Sequence, residues 1–68
     1  MNLLVNGENK TLGANQSTLS TVIKELGHHP RLVVVELNGV IVPPQNWEDK
    51  EIKDGDILEI VTIFGGGS

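Results

Sequence analysis

Leu32-Val33-Val34-Val35-Glu36-Leu37-Asn38-Gly39-Val40-Ile41-Val42-Pro43-Pro44 decides the fold. β-branched residues dominate its first half. Alternation puts Val33, Val35 and Leu37 on one face and Leu32, Val34 and Glu36 on the other, the pattern of a central strand. Asn38-Gly39 predicts a type I′ turn, because both central residues of that turn take positive φ. Val40-Ile41-Val42 then supplies the returning strand, and Pro43 and Pro44 stop the ladder.

Toward the amino end, Asn2-Leu3-Leu4-Val5-Asn6 is an apolar run closed by Gly7, and Lys10-Thr11-Leu12 follows at hairpin distance before Gly13. Ser17 or Thr18 can cap a helix whose apolar residues Leu19, Val22, Ile23 and Leu26 form one stripe, with Gly27 placed to end it. Toward the carboxyl end, Gln45 to Lys53 is polar except for Trp47 and Ile52, which predicts a turn or one helical turn anchored by those two side chains. Trp47 reads as a core plug rather than an interface anchor. Asp54-Gly55-Asp56 is a further turn and lacks the remaining ligands of a calcium loop. A last strand, Ile57 to Phe64, places Leu58, Ile60, Thr62 and Phe64 on one face and Ile57, Glu59, Val61 and Ile63 on the other. Both faces carry apolar side chains, and only one can meet the helix. The order strand, strand, helix, strand, strand, strand is that of an α+β sheet with one packed helix.

The 68 residues suffice for one domain, and a domain of this size buries only about 60% of its unfolded surface. Cysteine is absent, which removes disulfides, thiolate metal sites and thiol nucleophiles and points to a cytoplasmic setting. No apolar run is long enough to span a bilayer, and the first residues lack the pattern of a secretory signal. Nine carboxylates against five basic side chains give a formal charge of −4 and a pI near 4.9. That balance repels nucleic acid and anionic lipid and favours a basic protein partner. Glu48, Asp49, Glu51, Asp54, Asp56 and Glu59 crowd the acidic charge late in the chain, as a solvated rim.

No Ser or Cys nucleophile has an identifiable base and orienter, and no His and carboxylate spacing describes a metal site. His28 and His29 are adjacent, so their side chains diverge, and they read as exposed or helix-end residues. The hydroxyls of Ser17, Thr18, Ser20 and Thr21 are explained by capping at the helix start. There remains Gly65-Gly66-Gly67-Ser68 directly after Ile63-Phe64. Composition alone leaves this open between an unstructured or linker-like end and a functional extension. The geometric case for function is that four extended residues reach roughly 13 Å beyond a fold and, lacking Cβ atoms, the glycines enter channels too narrow for other residues. A partner enzyme could then act on a carboxylate there.

Taken in order, Leu37-Asn38-Gly39-Val40-Ile41-Val42-Pro43, Trp47, Asp54-Gly55-Asp56, Glu59-Ile60-Val61 and Gly65-Gly66-Gly67 resemble the ThiS family of sulfur carriers. The resemblance covers nearly the whole chain. It implies a ubiquitin-like β-grasp at 1–64, with a mixed sheet of about five strands on one main helix, and a flexible tail at 65–68. It implies a carrier rather than an enzyme, with no bound cofactor. An E1-like adenylyltransferase, ThiF, is expected to use ATP and magnesium to adenylate Gly67. A cysteine desulfurase or other sulfur donor then yields a thiocarboxylate, and thiazole synthase, ThiG, takes the sulfur for the thiazole ring of thiamin. Gly66 and Gly67 match the family's diglycine, Gly65 leads into it, and Val61, Ile63 and Phe64 are expected to dock the partners.

Two features depart from the family. Pro44 stands where many ThiS sequences have arginine. Ser68 follows Gly67, so Ser68 is trimmed, is foreign to the protein, or marks a chain that cannot be charged as it stands. The alternatives to the thiamin role are a MoaD-like small subunit of molybdopterin synthase, a sulfur carrier of another pathway, and a non-conjugated ubiquitin-like interaction domain.

Overall fold

Two short strands and a left-handed turn open the chain. The computed structural model describes residues 1–63. The readings placed on Phe64, Gly65, Gly66, Gly67 and Ser68 lie outside the described residues. β1 (Asn2–Val5) pairs antiparallel with β2 (Glu8–Thr11) through Asn6-Gly7, both at positive φ. A three-residue strand, β3 (Gln16–Thr18), leads into helix α1 (Leu19–Glu25). Thr18, not Ser17, is the cap, its Oγ1 accepting from the Thr21 amide at 3.3 Å. The carbonyls of Lys50 and Trp47 accept from the amides of Leu19 and Ser20, so three of the four amides that a helix start leaves unpaired are satisfied. Gly27, at φ +86°, ends the helix. The His28 amide returns to the Ile23 carbonyl and that of Gly27 to Lys24, the paired closure of a Schellman motif.

β4 (Val33–Leu37) and β5 (Val40–Ile41) form the hairpin expected at Asn38-Gly39, with φ of 52° and 87°. Leu32 belongs to a preceding 3₁₀ turn, Pro30–Leu32, rather than to the strand. The polar segment is only partly as expected. Pro44–Asn46 is a 3₁₀ turn, but Glu51–Lys53 is a strand, β6, that pairs antiparallel with β3. This small second sheet closes over the helix start, and Ile52 is fully buried beneath it.

β7 (Ile57–Thr62) completes a five-stranded sheet in the order β2-β1-β7-β4-β5. β1 and β7 are parallel and the other neighbours antiparallel. β7 therefore holds the middle place, and β4, a central strand as read, lies beside it with β5 on its other side. β7 ends at Thr62, before Ile63, although the Ile63 amide still reaches the Leu32 carbonyl at 2.8 Å. This mixed sheet with one helix on a single face is the ubiquitin-like β-grasp.

Alternation sorts the core. Leu3, Val5, Val33, Val35, Leu37, Leu58 and Ile60 face α1, where Leu19, Val22 and Ile23 meet them. Trp47 plugs one end, 2% exposed, with Nε1 donating to the Val42 carbonyl at 2.7 Å, the polar partner that a buried indole needs.

Candidate functional site

β7 is the element that leads toward the glycines, so its support decides what the root of the tail looks like. On one side the strand pairs with β4 along its whole length, from Leu37↔Leu58 to Val33↔Thr62. On the other, β1 pairs only through Leu4↔Ile57 and Val5↔Leu58 before the chain turns away at Asn6. The Asn6 side chain then takes over the ladder. Its Nδ2 donates to the Ile60 carbonyl at 3.0 Å and its Oδ1 accepts from the Ile60 amide at 2.7 Å. One carboxamide thus replaces a strand residue and carries the pairing of β7 one step closer to the tail.

The opposite end of β7 is fixed by the second Asn-Gly turn. The Asn38 amide donates to the Ile57 carbonyl at 2.8 Å, and Asn38 Oδ1 accepts from the Ile57 amide at 3.0 Å. Asp56 binds Asn38 Nδ2 and the Lys53 amide, and Asp54 Oδ1 accepts from the Asn2 amide at 2.6 Å. Two members of the acidic run are therefore tied into turns rather than merely solvated. His29 has a structural task as well, its Nδ1 accepting from the Arg31 amide at 3.2 Å at the start of the 3₁₀ turn.

The face of the sheet turned away from α1 carries the expected docking residues. Val61 is 59% exposed and Ile63 56%, while Phe64, their expected companion, and Gly65, Gly66 and Gly67 lie outside the described residues. The structure adds neighbours that were not singled out. Val34 stands directly across from Val61, Ile57 lies two pairs along β7, and Ile41 faces Glu36 from β5. All three are exposed apolar residues. Alternation within Leu32–Leu37 already put Val34 on this side; Ile41 depended on the register of a two-residue strand.

Where β5 leaves the sheet after Ile41, the freed flank of β4 borders an apolar groove of about 410 Å³. Val34, Ile41, Pro43, Pro44 and Ile63 line it, with Arg31 at its margin. Pro44 thus adds apolar surface beside Ile63. Among the described residues no group of three or more His, Cys, Asp or Glu is placed to hold a metal ion, and no helix is long and apolar enough to cross a membrane. The arrangement is a braced central strand, ending beside an exposed apolar face and groove.

Comparison with known proteins gives the family and the fold. The sequence profile of the ThiS family matches residues 3–67. A thiazole synthase of Paramagnetospirillum magneticum is 43% identical over 68 residues, all of this chain but 21% of that protein, so the chain spans about a fifth of that relative. The sulfur carrier protein ThiS of Thermus thermophilus is 33% identical over 63 residues, 93% of this chain and 95% of that one. The crystal structure of a thiamine biosynthesis protein (ThiS) from Geobacter metallireducens superposes with a TM-score of 0.85 at 35% identity, covering 98% of this chain and all of that one. Profile, relatives and superposition run the length of the same fold, and the chain belongs to the ThiS family.

Proposed function

We propose that this chain is a cytoplasmic sulfur carrier for the thiazole ring of thiamin, charged at Gly67 and not itself an enzyme. The observation that carries the reading is the position of β7. It is the central strand, clamped by β4 on one side and by β1 and Asn6 on the other, and the sequence runs from its end through Phe64 into Gly65-Gly66-Gly67. A rigid strand beside an apolar docking face gives a partner enzyme a fixed root from which to locate a terminal carboxylate.

The chemistry follows from what a carboxylate lacks. It is a poor acyl donor until a leaving group is attached. An E1-like adenylyltransferase of ThiF type supplies one when the Gly67 carboxylate oxygen attacks the α-phosphorus of magnesium-bound ATP and pyrophosphate leaves. A persulfide formed from cysteine by a desulfurase or other donor then attacks the acyl carbon and displaces AMP, and a second thiol cleaves the resulting acyl disulfide, forming a disulfide with the donor's sulfur and releasing the thiocarboxylate. The resulting thiocarboxylate is an anionic sulfur nucleophile at neutral pH. A chain without cysteine has no internal thiol to divert it. A thiazole synthase of ThiG type is the acceptor, a reading supported by the thiazole synthase that contains a segment like this chain.

The test is pyrophosphate exchange into ATP by the cognate adenylyltransferase. A chain ending at Gly67 supports exchange, and one lacking Gly66 and Gly67 does not. Equal exchange with both chains contradicts the proposal and leaves an interaction domain whose glycines have no part in its work.

A further inference from the structure

The family profile ends at Gly67, and Ser68 follows it in the chain. Whatever comes after Ser68, the carbonyl carbon of Gly67 is bound to a peptide nitrogen. An amide in that place has no carboxylate oxygen to attack phosphorus, so the charging step of a sulfur carrier has nothing to act on. A residue beyond the glycine is not peculiar to this chain. The likeness to the Paramagnetospirillum magneticum thiazole synthase takes in all 68 residues, Ser68 included. Charging at a Ser68 carboxylate instead ill suits the tail, because Ser68 brings a Cβ to the point that three glycines leave bare.

We propose that the Gly67–Ser68 bond is a maturation site, cut by an endopeptidase that reads the glycines before the adenylyltransferase does. The step is a hydrolysis. Water adds its oxygen to the Gly67 carbonyl carbon, the carbon–nitrogen bond breaks, and the nitrogen takes a proton and leaves as the amino group of Ser68. Nothing is oxidised or reduced, and Gly67 keeps the carboxylate that adenylation needs. The inference rests on the carrier reading and adds to it the class of reaction that supplies the substrate.

The fold decides where such an enzyme cuts. β4 pairs with β7 as far as Thr62, and the Leu32 carbonyl holds the Ile63 amide at 2.8 Å. Cleavage ahead of Ile63 therefore waits for the sheet to open. Gly67 lies four residues past Ile63, a span of roughly 13 Å at full extension. That length brings the Gly67 carbonyl to a peptidase cleft while the domain stays folded. The other five glycines of the chain stand singly, so a cleft too narrow for Cβ atoms selects Gly65-Gly66-Gly67 and rejects every other stretch.

The experiment incubates the purified chain, with an epitope appended after Ser68, in an extract of the organism that encodes it, and follows intact mass. One product ending at Gly67 is expected. Gly66→Val, which puts a branched side chain in the run, is expected to be cut at least about tenfold more slowly. In a purified assay, the chain ending at Ser68 is expected to support no pyrophosphate exchange with the adenylyltransferase, and the chain ending at Gly67 to support it. A chain left whole in the extract overturns the proposal, as do ragged products on either side of Gly67 or equal cleavage of Gly66→Val. Exchange by the chain ending at Ser68 overturns it too, since no cut is then needed. If the chain ending at Gly67 fails to support exchange with an adenylyltransferase active on other carriers, the carrier reading itself falls, whatever the extract does.

Discussion

Replacing Asn6 by glycine removes the clamp on β7 while keeping a residue that accepts the backbone. Asn6 has φ of 51° and makes two hydrogen bonds to Ile60. Each is worth about 0.5–1.5 kcal/mol net, so Asn6→Gly loses about 1–3 kcal/mol from the folded state. Glycine's larger freedom in the unfolded chain acts in the same direction. At about 0.05–0.15 kcal/mol per residue a domain of this length holds only about 3–10 kcal/mol in all. With about 4–8 °C per kcal/mol for small domains, the melting temperature falls by about 4–24 °C. Asn6→Ala adds about 1 kcal/mol more, because a Cβ is unfavourable at positive φ. Urea unfolding followed by circular dichroism reads the stability, and amide hydrogen exchange at Ile60 reads the clamp itself. An Asn6→Gly variant within about 0.5 kcal/mol of wild type, with the Ile60 amide equally protected, refutes the argument that a side chain extends the ladder of β7.

Three further outcomes are expected. Trp47→Phe leaves the buried Val42 carbonyl without its 2.7 Å donor and costs about 1–3 kcal/mol in a thermal melt; an unchanged melt contradicts this. Thr18→Ala loses the Oγ1 cap but keeps the Lys50 and Trp47 carbonyls on the first two helix amides, so its cost in urea unfolding lies near the low end of the usual range, about 0.5–1 kcal/mol, and Thr18→Ser restores it. Val61→Ser and Ile63→Ser, at exposed positions, shift stability by no more than about 1 kcal/mol yet weaken adenylyltransferase binding in calorimetry at least tenfold; full affinity in both excludes this face from docking.

The hairpin at Asn38-Gly39 was legible because two successive positive φ values are a strong local demand that few residue pairs meet. The helix was legible from one apolar stripe and a left-handed glycine. β3 and β6 were not. Each has three residues, and only Ile52 among them is apolar, so nothing local marks a pairing between segments so far apart in sequence. Nor could alternation rank β4 and β7, since both have apolar residues on both faces; the centre went to β7 through its parallel pairing with β1. Of the site, the outward direction of Val61 followed from period two. The role of Asn6 did not, because its bonds depend on a strand more than fifty positions away.

The most direct test of the account is the intact mass of a chain ending at Gly67 after incubation with ATP, magnesium, its adenylyltransferase, a desulfurase and cysteine. The account predicts a species heavier by the difference between one sulfur and one oxygen atom, which takes up one alkyl group on alkylation and is localised by fragmentation to Gly67. An unchanged mass in the presence of an adenylyltransferase shown to be active on this chain contradicts it.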